Sequence, residues 1–79
     1  MNDDLKIFLQ KVFNLTESEF SETLTRDDIS DWDSLKHMDL ITGLEREFNI
    51  QLEMQDILAM QSIPIIVDTL EKYDVSIEK

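Results

Sequence analysis

Hydrophobic residues recur at helical spacing in three stretches of the chain, and polar segments separate these stretches. The first stretch has the i, i+3, i+4, i+7 pattern of one buried helical face, formed by Leu5, Phe8, Leu9 and Val12. Asn2 can cap the start of this helix, and Asp3 and Asp4 suit its first turn because the helix dipole stabilises negative charge there. We place the end of the helix near Asn14.

The second stretch predicts the longest helix, from about Ser34 to Phe48, with Asp33 as its N-cap. Its buried face consists of Leu40, Ile41, Leu44 and Phe48. Burial of each of these side chains should contribute about 1.5–3 kcal/mol. An adjacent face carries Ser34, Leu35, Met38 and Thr42. Gly43 weakens the helix interior by about 1 kcal/mol relative to alanine, and the sequence offers no reason for it.

The third stretch predicts a last helix, capped by Ser62 and with Pro64 in its first turn. Its buried face consists of Ile63, Ile66, Val67 and Leu70. Residues 53–60 are compatible with a short third helix whose Ile57 points inward, and residues 73–79 with a frayed tail. The predicted fold is therefore an all-α four-helix bundle, with three longer helices and one short helix, in a single domain spanning residues 1–79.

A long polar connection, from about Leu15 to Trp32, joins the first two helices. Such length in a compact domain suggests either a function or short turns within the connection. Thr16 and Glu19 have the spacing of a capping box, which predicts one such turn. Three apolar residues are expected to attach the connection to the core, namely Phe20, Leu24 and Ile29.

Amino-acid composition and net charge narrow the classes of function and of partner that fit this chain. The 79 residues are 42% hydrophobic and 32% charged, which indicates one globular domain rather than disorder. The chain has no cysteine, so any thiol chemistry must come from a cofactor. Seven basic and 18 acidic residues give a net charge of -11, which argues against nucleic acid and anionic membranes and favours partners with basic patches. No apolar run is long enough for a signal peptide or a membrane span, so we expect a cytoplasmic monomer.

The candidate chemistry lies where the long connection enters the second helix. Ser34 directly follows the capping residue Asp33, at a helix start that offers free backbone N–H groups and partial positive charge. Such an end suits a phosphate group, which makes Ser34 a candidate for phosphate-linked modification. Without the surrounding pattern, an ordinary serine at the first helical position would be the favoured explanation of Ser34.

The residues around Ser34 resemble the acyl carrier protein family. The resemblance is carried by Asp33-Ser34-Leu35, Leu40, Leu44-Glu45 and Phe48-Asn49-Ile50. It extends over nearly the whole chain, including the first helical stripe, the long connection and the capped last helix. It implies the acyl-carrier-like form of the four-helix bundle.

The resemblance implies that Ser34 carries 4′-phosphopantetheine, installed from coenzyme A by a magnesium-dependent phosphopantetheinyl transferase. The thiol of this arm would hold an acyl or aminoacyl group as a thioester, while the carrier itself would not be an enzyme. Asp33 would assist the modification and Leu35 would contact the transferase. Partner enzymes would dock on a surface formed by Leu35, Met38, Asp39, Thr42 and Glu45.

The same resemblance implies an acyl-loading ligase or acyltransferase, and a ketosynthase or other acyl-processing enzyme, as further partners. The pathway could be fatty acid, polyketide or specialised acylation biosynthesis. Asp31 stands where the family commonly has glycine, and Lys36 and Arg46 add positive charge to a helix that is usually almost wholly acidic. Trp32 before the motif and His37 after it resemble discrete carriers of specialised pathways.

Two further functions stay open on the sequence alone. One is an aminoacyl or peptidyl carrier, which would use the same arm. The other is an unmodified acidic helical adaptor, whose second helix binds a basic partner and whose Ser34 is incidental or phosphorylated. A calcium loop is disfavoured because the four carboxylates that suggest it do not have EF-hand spacing; they are Asp27, Asp28, Asp31 and Asp33. We expect a solvated acidic loop and no dedicated metal site.

His37 is the only histidine in the chain. Helical spacing places it with Leu40, Ile41 and Leu44, and Trp32 precedes the N-cap, so the two rings could pack as a staple-like pair. No second base, nucleophile or group of metal ligands accompanies it. We therefore predict a structural role for His37 rather than a catalytic one.

Overall fold

The structure, a computed structural model, describes residues 2–73. Over this range it contains four α-helices, which are α1 (Asp3–Phe13), α2 (Ser34–Phe48), α3 (Met54–Ala59) and α4 (Ile63–Lys72). One 3-10 turn (Arg26–Asp28) interrupts the connection between α1 and α2, and no strand forms in this part of the chain. The predicted all-α architecture of three longer helices and one short helix is confirmed. None of the helices between residues 2 and 73 has the length and apolar character needed to cross a membrane.

The predicted helix ends are confirmed by their caps. The Asn2 carboxamide oxygen accepts hydrogen bonds from the N–H groups of Asp4 (2.6 Å) and Leu5 (3.3 Å). Asn14 and Asn49 adopt left-handed backbone conformations, with φ of 55° and 54°, and end α1 and α2. Asparagine tolerates this conformation better than most residues, which explains its use at both ends. The Ser62 hydroxyl caps α4 by accepting from the Ile65 N–H at 3.2 Å.

One core joins the helices and the long connection. Its buried hydrophobic residues are Leu5, Leu9, Phe13, Ile29, Trp32, Leu40, Ile41, Leu44, Leu52, Met60, Ile63, Ile66 and Leu70. Most lie on the predicted helical faces, while Phe8, Val12, Phe48 and Val67 are partly buried at the edge of the core. Phe13, four residues after Leu9, also lies on the buried face of α1, and its ring centroid is 4.5 Å from that of Trp32. The Trp32 ring thus links the segment before Ser34 to α1.

Gly43 allows α1 and α2 to approach closely. A Cβ atom at this position would lie 2.5 Å from both Cε1 and Cζ of Phe8, a distance that real Cβ atoms essentially never show. Glycine therefore leaves room for the Phe8 ring against the backbone of α2. The contact of the Phe8 ring with the backbone of α2 offsets the low helix propensity of glycine, and helical periodicity does not reveal this contact.

The long connection is ordered by local turns. Thr16 and Glu19 form the predicted reciprocal pair, in which the Thr16 N–H donates to Glu19 (2.9 Å) and the Glu19 N–H donates to the Thr16 hydroxyl (3.3 Å). A second reciprocal pair, Thr25 with Asp28, encloses the 3-10 turn and was not predicted. The Thr25 N–H donates to the Asp28 carboxylate at 2.9 Å.

The connection is also attached to the rest of the fold. Ile29 is buried, and Phe20 and Leu24 are partly buried against the core, as predicted. The Leu24 carbonyl accepts from the Ile63 N–H, and the Arg26 N–H donates to the Gln61 carbonyl, both at 2.9 Å. These two bonds join the connection to the start of α4, so the segment before Ser34 has a defined position.

A polar cluster ties α3 to the end of α4. Asp56 is buried and accepts hydrogen bonds from the Lys72 ammonium group and the Tyr73 hydroxyl, whose oxygen accepts from the Glu53 N–H. The Lys72 bond and then the Tyr73 bond hold the pKa of Asp56 below its usual value. Tyr73, the first residue of the predicted 73–79 tail, is thus the C-cap of α4 and is hydrogen-bonded; residues 74–79 lie outside the described residues.

Candidate functional site

Ser34 is the first residue of α2, and its side chain is exposed. Asp33 caps the helix as predicted, because its carboxylate accepts from the Lys36 N–H at 2.8 Å. The Asp33 carbonyl also accepts from the His37 N–H at 2.8 Å, as the first bond of the helix. The cap therefore fixes the backbone on which Ser34 presents its hydroxyl to solvent.

Beneath Ser34, Trp32 and His37 form the predicted pair, and they form it through a hydrogen bond. The Trp32 indole N–H donates to His37 Nδ1 at 2.9 Å, with the two rings stacked. His37 Nε2 lies 2.7 Å from the Ile57 carbonyl oxygen, which can only accept, so the proton of the neutral ring belongs on Nε2. Both ring nitrogens are engaged, which supports the structural role predicted for His37 and links the long connection, α2 and α3.

An open groove of about 290 Å³ lies beside Ser34, between α2 and α3. The residues that line the groove are Arg26, Ser34, His37, Met38, Met54, Ile57, Leu58 and Gln61. Apolar side chains from both helices make up most of this lining, while Arg26 and Gln61 supply polar groups at one side. The groove is thus an open, largely apolar surface directly beside the Ser34 side chain.

Large hydrophobic side chains are exposed on the two helices that flank Ser34. The exposed fractions are 79% for Leu35, 52% for Met38, 67% for Met54 and 68% for Leu58. These four residues are here called the apolar patch. Leu35 and Met38 were predicted as docking residues, whereas Met54 and Leu58 were missed. Their i, i+4 spacing on a short helix was the available signal, but it does not distinguish an exposed face from a buried one.

The other predicted docking residues occupy two different settings. Asp39 and Thr42 are exposed on α2, as a docking role requires. Glu45 is half-buried, and its carboxylate accepts from the Leu52 N–H at 2.9 Å. Glu45 therefore holds the turn that follows α2, and its part in docking stays a prediction.

The residues at this site leave room for a covalent phosphate group. The Ser34 hydroxyl is exposed, so a substituent on it would displace no core side chain. Within residues 2–73, no group of three or more His, Asp or Glu side chains is arranged to hold a metal ion. The four aspartates of the acidic loop accordingly form no ligand cluster in the part of the chain that the structure describes.

Comparisons with protein-family models, with curated proteins and with solved structures gave no match to this chain. The resemblance to acyl carrier proteins therefore depends on the motif residues around Ser34. The helical architecture is compatible with that family but does not by itself identify it.

Proposed function

We propose that this protein is an acyl carrier protein and that Ser34 is the attachment point of its 4′-phosphopantetheine arm. The observation that carries this proposal is the exposed Ser34 hydroxyl at the start of α2, directly beside an apolar groove. The Asp33 cap, the Trp32–His37 pair and the anchored connection fix the backbone around Ser34. An attachment point for a swinging arm requires an exposed hydroxyl on such a fixed backbone.

In the modification, the Ser34 oxygen forms a bond to the phosphorus of coenzyme A that bears the pantetheine arm. The adenosine bisphosphate part leaves, and the hydroxyl proton passes to a base of the transferase. Asp33 assists by fixing the first turn of α2, through its bond to the Lys36 N–H, and Leu35 offers an exposed contact to the transferase. Once attached, the arm supplies the thiol that carries an acyl group as a thioester, a group that the cysteine-free chain lacks.

The apolar patch, together with Asp39 and Thr42, is the proposed docking surface for partner enzymes. A net charge of -11 would steer partners with basic patches toward the carrier, and the exposed hydrophobic side chains would supply short-range contact. The proposed partners are a loading ligase or acyltransferase and a ketosynthase or other acyl-processing enzyme, acting in the cytoplasm. Tethering raises the effective concentration of the intermediate at each of them.

Intact mass after modification tests this proposal. The purified chain is incubated with coenzyme A, magnesium and a broad-specificity phosphopantetheinyl transferase, beside Ser34→Ala and the matched control Ser30→Ala, another exposed serine of the same region. We expect the parent and Ser30→Ala to gain one phosphopantetheine and Ser34→Ala to gain none. Folded parent protein that gains no mass, also with the transferase of its own host, would overturn the proposal and favour the acidic adaptor.

A further inference from the structure

We propose that Arg26 is the phosphate partner of the arm: its guanidinium group pairs with the phosphodiester on Ser34 and directs the arm into the groove. The inference rests on the proposed function, because the phosphodiester exists only on the modified chain. It assigns a positioning role to a residue of the long connection that lies outside the family motif and outside the predicted docking surface.

Arg26 is held in place by three hydrogen bonds. Its Nε donates to the Trp32 carbonyl at 3.0 Å, and its Nη1 donates to the Gln61 side-chain oxygen at 3.2 Å. Its backbone N–H donates to the Gln61 carbonyl at 2.9 Å. Trp32 lies two positions before Ser34, so the bond to its carbonyl keeps the guanidinium close to the start of α2.

Arg26 and Ser34 line the same groove, and no other permanently charged cation lines it among the residues that the structure describes. His37 also lines the groove, but Trp32 and Ile57 already engage its two ring nitrogens. A guanidinium carries five N–H donors, and the Trp32 and Gln61 contacts use two of them. The remaining donors can meet phosphate oxygens in the forked geometry that makes arginine a preferred phosphate ligand.

The charge of the chain makes the contact between Arg26 and the phosphate measurable through its effect on stability. The chain already carries a net charge of -11, and Asp31 and Asp33 stand close to Ser34 in sequence. A further anion at Ser34 adds to this repulsion, while the N-terminus of α2 attracts the anion in every variant alike. Arg26 adds a favourable pair in the parent alone, so the difference between the parent and the Arg26 variants in the effect of modification on stability reports the contact.

The thermal midpoints of the unmodified and modified forms test the inference. They are measured for the parent, Arg26→Gln, Arg26→Lys and the matched control Arg46→Gln. The control removes an exposed cation at the far end of α2. We expect modification to raise the midpoint by about 2–5 °C in the parent and in Arg46→Gln at low salt. We expect modification to change the midpoint less favourably in Arg26→Gln than in the parent, and to have an intermediate effect in Arg26→Lys, which keeps the charge but loses the fork. High salt should reduce all of these differences.

Comparing the two forms of each variant separates the contact from folding, because any stability lost with the Trp32 and Gln61 bonds affects both forms alike. The Arg26 Nη–H resonances, which belong to the donors left free by Trp32 and Gln61, should also shift between the unmodified and modified parent. Equal midpoint changes in all four proteins, or unmoved Nη–H resonances, would overturn the inference. Intact mass confirms modification of each sample separately, so a failure there counts against the proposed function and not against Arg26.

Discussion

At the scale of single residues, His37 shows how one side chain supports the site without touching the proposed chemistry. It is buried with 7% of its surface exposed, yet both ring nitrogens have partners in Trp32 and Ile57. These partners belong to the long connection and to α3. A residue of α2 therefore determines how two other elements lie around Ser34.

We expect His37→Leu to lower the free energy of unfolding by about 1–3 kcal/mol, because it leaves the Trp32 N–H and the Ile57 carbonyl without partners. The folded variant should still be phosphopantetheinylated, as His37 has no predicted catalytic role. Denaturant unfolding and intact mass measure the two effects. His37→Gln, whose amide can both accept and donate, is the control and should lose less stability. Complete loss of modification in folded His37→Leu would contradict the structural role.

Gly43 gives a second prediction at this scale. Gly43→Ala improves helix propensity by about 1 kcal/mol, but its Cβ would lie 2.5 Å from the Phe8 ring, and such overpacking typically costs about 1–3 kcal/mol. We expect a net loss of stability in urea unfolding. In a Phe8→Leu background the same change should become stabilising, and Thr42→Ala, at the exposed neighbouring position, is the control. Stabilisation by Gly43→Ala in the parent would show that the Phe8 ring yields freely.

At the scale of elements, the short helix α3 depends on contacts from outside itself. Six residues are too few for a helix to be stable alone in water. The His37 ring holds the Ile57 carbonyl on one side, and Lys72 and Tyr73 hold Asp56 on the other. The position of α3, and with it half of the apolar patch, is consequently set by α2 and α4.

The Asp56 cluster predicts a pH dependence. Because its folded pKa is lowered, mainly by the Lys72 bond, the ionised carboxylate contributes stability above its unfolded pKa of about 3.9, and this contribution is lost as pH falls through the folded pKa. The loss of stability on replacing Asp56 by Asn should therefore be largest above about pH 5 and shrink below it. Urea unfolding across this range measures it, with Tyr73→Phe expected to show a weaker version. A loss independent of pH would refute the assignment.

The apolar patch predicts separable effects on partners and on folding. Met54→Gln and Leu58→Gln should slow acyl loading or transfer by partner enzymes while changing stability by less than about 0.5 kcal/mol, since both side chains are largely exposed. Ile7→Gln, at a half-exposed apolar residue of α1, is the matched control and should leave partner rates unchanged. Equal loss of activity in all three variants would indicate a general effect instead of docking at the patch.

At the scale of the whole molecule, charge sets the response to ions. A net charge of -11 on a small domain produces self-repulsion, and the acidic loop concentrates four aspartates between α1 and α2. We expect the thermal midpoint to rise with added sodium chloride and with added magnesium chloride, as repulsion is screened. A midpoint indifferent to both salts would mean that the carboxylates are too far apart to repel one another.

Much of the fold could be predicted from sequence because its signals are local. Caps at Asn2, Asp33 and Ser62 and left-handed ends at Asn14 and Asn49 act within a few residues, so spacing and residue type were enough. The same local signals place Ser34 at the start of α2. Periodicity also identified most of the core, because a helical face is buried as a unit.

Tertiary structure decided what depends on contacts between distant parts of the chain. Arg26 bonds to Gln61, 35 positions away, and Asp56 bonds to Lys72 and Tyr73 at the end of another helix. No local sequence pattern predicts either of these contacts. Helix packing likewise decides three further features. It leaves Met54 and Leu58 exposed, brings the Glu45 carboxylate to the Leu52 N–H, and requires glycine at position 43. The chain's local chemistry thus determined which helices form and where Ser34 stands, whereas packing in three dimensions decided what surrounds it.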